Sequence, residues 1–449
     1  TGDGHANIIL GGSGNDTINA GAGNDTIDGG SGNDIIQGGS GDDTYHYTGE
    51  DGFDTITDTG GTDTIVFKTG YASKAPWKAP YRDGNNLVYV SENSKSGFTV
   101  VDHFLNTSKS IELFHYEDAD GGAYSVKVRN GNGAVGDSTY DEALIGTTGD
   151  DTLTGVAGTK KRHDEFYGHT GNDTINNAAG GKSWIEAGDG NDIITGGTEQ
   201  DIIRGQAGND TINAGAGNDT IDGGSGNDII QGGSGDDTYH YTGEDGFDTI
   251  TDTGGTDTIV FKTGYASKAP WKAPYRDGNN LVYVSENSKS GFTVVDHFLN
   301  TSKSIELFHY EDADGGAYSV KVRNGNGAVG DSTYDEALIG TTGDDTLTGV
   351  AGTKKRHDEF YGHTGNDTIN NAAGGKSWIE AGDGNDIITG GTEQDIIRGQ
   401  AGNDTINAGA GNDTIYTGAG DDKVYGEAGD DTIIQNGSGS QTYDGGSGT

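Results

Sequence analysis

The chain has 449 residues and carries 27 basic against 71 acidic side chains, a formal net charge of −44. Such a polyanion repels nucleic acid and anionic membranes and draws cations. With no cysteine it forms no disulfide and does no thiol chemistry, and no apolar run reaches membrane-spanning length. Glycine is abundant at 84 residues, but 4 prolines and no period of three exclude a collagen helix. A hydrophobic share of 30% at this charge is usual for disordered chains. Here, however, the acidic residues recur at fixed spacing beside glycine and isoleucine, which gives the charge a structural role. The chain opens on Thr1, without a signal peptide, and contains no methionine; this reads as a segment of a longer protein.

Self-similarity organises everything downstream. Residues 14–207 recur unchanged as 208–401, and a third copy runs from Gly402 through Ile415 before diverging. Within each unit lies a period of nine. From Gly11 the sequence reads GGSGNDTIN, AGAGNDTID, GGSGNDIIQ, GGSGDDTYH, preceded by the degenerate GDGHANIIL. This block spans 1–46. A β-rich insert follows at 47–145, holding Leu87-Val88-Tyr89-Val90, Phe98-Thr99-Val100-Val101 and Ile111-Glu112-Leu113-Phe114, short strands between Gly/Asn/Ser turns. Nonamers return over 146–240, the insert is repeated at 241–339, and nonamers close the chain over 340–449, ending in a divergent cap. No amphipathic helix is expected. The fold class is all-β.

Each nonamer divides into six bend residues and three strand residues. Glycines at positions one, two and four admit backbone angles closed to other residues, which lets carbonyls turn inward. Position six is aspartate, a hard oxygen ligand, and position eight is an aliphatic or aromatic residue pointing inward. Calcium wants six to eight oxygens from carboxylates and carbonyls, more than one bend offers and about what two stacked bends offer. With two nonamers per coil, position-six aspartates stack every second repeat: Asp16 on Asp34, Asp25 on Asp43, Asp210 on Asp228, Asp219 on Asp237. The candidate metal ligands are Asp16, Asp25, Asp34, Asp43, Asp151, Asp164, Asp173, Asp192, Asp201, Asp210 and Asp219, then Asp228, Asp237, Asp345, Asp358, Asp367, Asp386, Asp395, Asp404, Asp413, Asp422 and Asp431. One inward aliphatic per nonamer buries about 2 kcal/mol, against roughly 1 kcal/mol or more for each backbone residue ordered. The metal must make up the shortfall, so the metal-free chain is expected to be largely unfolded.

GGSGNDTIN, GGSGNDIIQ, AGDGNDIIT and GEAGDDTII resemble the repeats of the RTX (repeats-in-toxin) calcium-binding family. The resemblance covers over half the chain. It implies a right-handed parallel β-roll, export by a type I secretion system and folding on calcium outside the cell, in a secreted or cell-surface location. GTDTIVF, DGNNLVYV, GFTVVDHF and SIELFHYEDADGG resemble the β-rich segment that follows such repeats in hemolysin-related proteins. Ser183, Ser377 and Asn7 stand where aspartate is expected and Glu199 and Glu393 replace a glycine, so those sites are expected to bind weakly or not at all. The family's carboxy-terminal secretion signal is not evident after Tyr443.

Other motifs have simpler readings. Asn24 begins a glycosylation sequon that is a by-product of the repeat. Lys160-Lys161-Arg162-His163 reads as a solvated bulge between coils rather than an anion site. Tyr71 to Arg82, with Trp77 at its centre, reads as cover for a sheet edge or as a sugar- or protein-binding surface, while Trp184 reads as packing. Glu117 to Gly121 lacks the full ligand set of an EF-hand and reads as a turn. There is no G-x-S-x-G elbow, no phosphate loop and no HExxH pair, and no catalysis is expected. Three readings of function follow. The chain is a calcium-stiffened extender of a large adhesin or matrix protein, or the inserts bind extracellular glycan or protein on a β-roll scaffold, or this is the repeat region of a toxin or enzyme whose catalytic part lies elsewhere.

Overall fold

The strands begin where the glycine bends end. In Thr17–Ala22 the side chains alternate outward and inward, so Ile18 and Ala20 are buried while Thr17 and Asn19 face solvent. In Ile35–Ser40 the first isoleucine points out and Ile36 points in. A bend of six and a strand of three thus place one aliphatic side chain inward per nonamer, and successive nonamers face each other across a thin interior.

The computed structural model describes residues 1–47, 51–67, 79–91, 94–105, 110–117, 123–130, 141–155, 163–177, 181–242, 245–261, 273–285, 288–299, 305–311, 317–324, 335–349, 357–372 and 374–448. Trp77, Lys160 to Arg162 and Asp118 to Gly121 lie outside these residues. Among the described residues there are 42 strands and no helix. They form two units, Thr1–Asp219 and Thr220–Thr449.

In the first unit, one sheet runs Ile8–Leu10, Thr26–Asp28, Thr44–Tyr47, Thr64–Phe67, Leu113–Glu117, all parallel. Its inward column is Ile9, Ile27, Tyr45, Ile65 and Phe114, each in register with the next. The facing sheet runs Thr17–Ala22, Ile35–Ser40, Phe53–Thr57, Gly97–Val100, also parallel, with Ile18, Ile36, Ile56 and Val100 in register. This is a parallel β-roll, and its ladder runs on past residue 46 as far as Phe67.

Antiparallel strands then complete both sheets. Asn86–Val90 pairs with Gly97–Val100 and with Tyr81–Asp83 on one side, and Ala123–Asn130 pairs with Leu113–Glu117 on the other. Asp141–Ile145 lies parallel to Ala123–Asn130 and leads into His163–Thr170, Lys182–Asp189 and Ile202–Ala207. Opposite them run Thr152–Thr154, Thr174–Asn176, Ile193–Thr195 and Thr211–Ala216. One buried cluster passes without a break from Ile18 through Phe67, Leu87, Phe98 and Phe114 to Ile145. Within it Tyr89 stacks on Phe98 and Phe114, with ring centroids 5.0 and 5.4 Å away. The insert is therefore an aromatic-rich thickening of the roll's own two sheets.

The second unit repeats the arrangement, from Thr238–Tyr241, Thr258–Phe261 and Leu307–Glu311 on one face and Ile229–Ser234, Phe247–Thr251 and Gly291–Val294 on the other. It ends in a nonamer roll whose core includes Phe360, Ile379, Ile397, Ile406 and Ile415. Trp184 packs on the outer face, where the Arg204 guanidinium lies 4.6 Å from its ring and its indole N–H donates to Glu186.

Candidate calcium sites

Most position-six aspartates sit at the close of the bend, immediately before the strand, as Asp34 and Asp173 do, while Asp164 and Asp358 lie within His163–Thr170 and His357–Thr364. Along each ladder the Oδ1 of one aspartate accepts the backbone N–H of the corresponding residue one coil earlier. Asp16 N–H donates to Asp34 at 2.8 Å and Asp25 N–H to Asp43 at 2.8 Å, both over 18 residues. The expected stacking pairs Asp16–Asp34 and Asp25–Asp43 are thus brought together. The ladder includes Asp151 to Asp173, Asp173 to Asp192, Asp192 to Asp210 and Asp201 to Asp219 in the same unit. In the other it joins Asp345 to Asp367, Asp367 to Asp386, Asp386 to Asp404, Asp395 to Asp413, Asp404 to Asp422 and Asp413 to Asp431. Asp164 and Asp358 accept from Glu142 and Glu336. Asp228 and Asp237 donate to Asp248 and Asp257.

The second oxygen is what points to a cation. Oδ2 of Asp16, Asp25, Asp34, Asp43, Asp173, Asp192, Asp367, Asp386, Asp404, Asp413, Asp422 and Asp431 is buried with no hydrogen-bond partner. A buried carboxylate oxygen left in this way is costly unless a counter-charge reaches it. In some bends the position-one glycine leaves room beside that oxygen, since a Cβ on Gly29 would collide with Asp34 Oδ2 and one on Gly168 with Asp173 Oδ2, while Ala20, Ala187, Ala381 and Ala408 hold the same position before Asp25, Asp192, Asp386 and Asp413. Only positions two and four require the left-handed backbone, as at Gly12 (φ 100°) and Gly14 (φ 108°). Buried anionic oxygens contributed by successive stacked bends fit calcium.

The electrostatics agree. Burial pushes Asp54, Asp404 and Asp413 up to about 7, and Asp173 and Asp367 up to about 6, with neighbouring carboxylates adding to the rise. Without a cation, these carboxylates ionise less readily than exposed aspartates do.

Not every site is alike. Thr147 N–H and Oγ1–H cap the second oxygen of Asp151, and Gly197 N–H caps that of Asp201 at 2.6 Å; Asp345 and Asp395 are capped in the same way. Ser183 donates both its N–H and its hydroxyl to Asp201 Oδ1, so the serine keeps the ladder while lacking a carboxylate.

The structure also adds ligand candidates that nonamer counting missed. Asp34 N–H donates to Asp54 and Asp43 N–H to Asp63, over 20 residues. Asp63 N–H in turn donates to Glu112 Oε2 at 2.7 Å. The second insert carries the equivalents Asp248 and Asp257. Asp43, Asp58 and Asp63 are all buried and offer oxygens within 4.8 Å of one another, as do Asp237, Asp252 and Asp257. The signal was present as Gly-x-Asp-Thr-Ile in GFDTI and GTDTI. Two extra residues in the coil put it out of phase with the period of nine.

The model of the RTX calcium-binding nonapeptide repeat matches residues 1–36, 23–47, 138–159, 161–181, 177–212, 186–221, 204–239, 332–353, 355–375, 371–406, 380–415 and 398–433, more than half of the chain. No curated protein matches. Among solved structures the chain is similar to the extracellular lipase LipA of Serratia marcescens, at 19% identity and a TM-score of 0.22. The match covers 62% of this chain and 37% of the lipase, so the chain corresponds to well under half of that protein's length. On the repeat match and the aspartate ladder together, the chain belongs to the RTX calcium-binding nonapeptide-repeat family.

Proposed function

We propose that this chain is a calcium-dependent extender region of a large secreted or cell-surface protein of the adhesin or matrix type, exported by type I secretion and folding once it meets extracellular calcium. It has no catalytic role of its own in this reading. The observation that carries it is the row of buried, unpartnered Oδ2 atoms along both units. A fold whose bends are completed by the ion is suited to a chain that crosses membranes unfolded in low calcium and stiffens outside. Tandem 194-residue units suit a protein selected for reach, since stacked repeats add length without a new core. The continuity of each insert with the sheets of the roll supports this reading over independently hung binding modules.

Circular dichroism during calcium titration tests it, with magnesium as control. The chain is expected to pass cooperatively from coil to sheet with calcium alone and to revert with chelator. A chelated chain that stayed fully sheet-like would overturn the reading. A glycan array probed with the wild type and Trp77→Ala separates the extender from a binding scaffold: the extender binds nothing specifically.

A further inference from the structure

The bend that ends the first roll, DTGGTD, carries a carboxylate that the nonamer bends lack: position one is Asp58 and position two is Thr59, where GGSGND has glycine. Asp58 accepts the Tyr45 hydroxyl on Oδ2 at 2.6 Å and the Gly60 N–H on Oδ1 at 2.7 Å, which fixes its carboxylate. Asp43 and Asp63 stand on either side, each with Oδ1 engaged in the ladder and Oδ2 buried without a partner. Their relative exposures are 1% and 0%. The convergence shows at Gly38, where a Cβ would strike the Tyr45 hydroxyl and lie 2.5 and 2.6 Å from Asp58 Oδ2 and Asp43 Oδ2. The second copy repeats it: Tyr239 donates to Asp252 at 2.7 Å, Asp257 Oδ2 is unpartnered, and Gly232 is hemmed in by the same set.

We propose that Asp43, Asp58 and Asp63, and likewise Asp237, Asp252 and Asp257, form a separate three-carboxylate calcium site at each junction of roll and insert, filled before the repeat bends. A third carboxylate raises the affinity of a calcium site beyond what two bends supply. The location gives it a job. The backbone carbonyl of Asp63 accepts the N–H groups of Glu112 and Leu113, and Glu112 accepts the Asp63 N–H in return. An ion on Asp63 therefore holds the first residues of the strand Leu113–Glu117 and docks the insert on the roll. Tyr45 acts as a positioning residue, aiming Asp58 from outside the ligand set.

The proposal rests on the calcium reading above, and terbium luminescence separates the two. Terbium stands in for calcium, and excitation of the adjacent phenol makes the ion emit. In the full chain the earliest terbium phase is expected to be strongly sensitised. Asp58→Asn with Asp252→Asn should raise the terbium needed for that phase about tenfold or more, while the later calcium-induced sheet transition persists. Tyr45→Phe with Tyr239→Phe should abolish most of the early emission and weaken terbium binding, measured by equilibrium dialysis, several-fold. An early phase unchanged by the aspartate pair overturns the junction site. A wild-type chain without any calcium-induced transition overturns the underlying reading instead.

Discussion

At the scale of a single residue, the position-six aspartate does two things with two oxygens. One oxygen closes the backbone ladder and the other waits for the ion. Asp34→Asn separates them, because the amide keeps an acceptor for Asp16 N–H while losing the charge. With Asp228→Asn added in the second unit, calcium is expected to be needed at about tenfold higher concentration for sheet formation. The chelated chain should be no less ordered than wild type, since a buried charge has gone. A calorimetric and dichroism titration reads both; an unchanged midpoint would show that the second oxygen is no ligand. Much of this was legible in the sequence. Spacing and residue type gave the aspartates and the stacking of Asp16 on Asp34 and Asp25 on Asp43, because a period of nine leaves one register. What spacing could not give was the fate of each Oδ2. Asp151 and Asp201 keep the position-six aspartate in bends where Thr147 and Glu199 replace a glycine, and it is the local Thr147 and Gly197 donors that cap their second oxygens.

At the scale of the coil, stacking depends on how closely one bend lies on the next. Gly12 and Gly30 both have positive φ, 100° and 86°. A Cβ on Gly12 meets nothing within 4 Å, whereas one on Gly30 strikes the Gly12 carbonyl. Gly12→Ala is therefore expected to cost about 1–2 kcal/mol from backbone strain alone, and Gly30→Ala clearly more, read as a larger rise in the calcium midpoint. Equal effects would mean that the bends are not in contact. The insert has a control of its own. His103 is buried, with Nε2 3.3 Å from the Val128 carbonyl and Nδ1 accepting the Ile111 N–H at 3.3 Å; the Phe104 and Phe114 rings flank it. Nδ1 has no room for a proton, and burial holds the ring down at about 4. A base lowered on folding adds stability that is whole above its ordinary value near 6.5 and is lost as pH falls toward 4, up to about 3 kcal/mol per ring. Aromatic near-ultraviolet dichroism in saturating calcium should fade over that window, and His103→Gln with His297→Gln should flatten the loss. The coil scale is where the sequence was least readable. GFDTI and GTDTI are rungs of the same ladder, but a coil of 20 residues in place of 18 breaks the period that reveals the others. The aromatics of the insert read as a distinct segment because their spacing is that of sheet completion, not of bends.

At the scale of the whole chain, the energetics should be local even though the sequence is long. Each coil touches only its neighbours, so stability builds from repeat terms and nearest-neighbour terms. With a formal charge of −44 spread along the chain, calcium is expected to be needed along its length, and no single region is expected to fold the rest at a distance. The exact recurrence of 14–207 as 208–401 allows a clean test. Removing residues 14–207 joins Ser13 to Gly208 and leaves every sequence junction as it was, one unit shorter. A chain with nearest-neighbour energetics keeps the same calcium midpoint and loses ellipticity and bound calcium in proportion to the residues removed. Cooperativity reaching across units would instead raise the midpoint and broaden the transition. Equilibrium dialysis with dichroism on the full and shortened chains distinguishes the outcomes. The unchanged midpoint is expected on the proposed extender role, because an extender whose length can vary by whole units works only if each unit folds at the same calcium concentration.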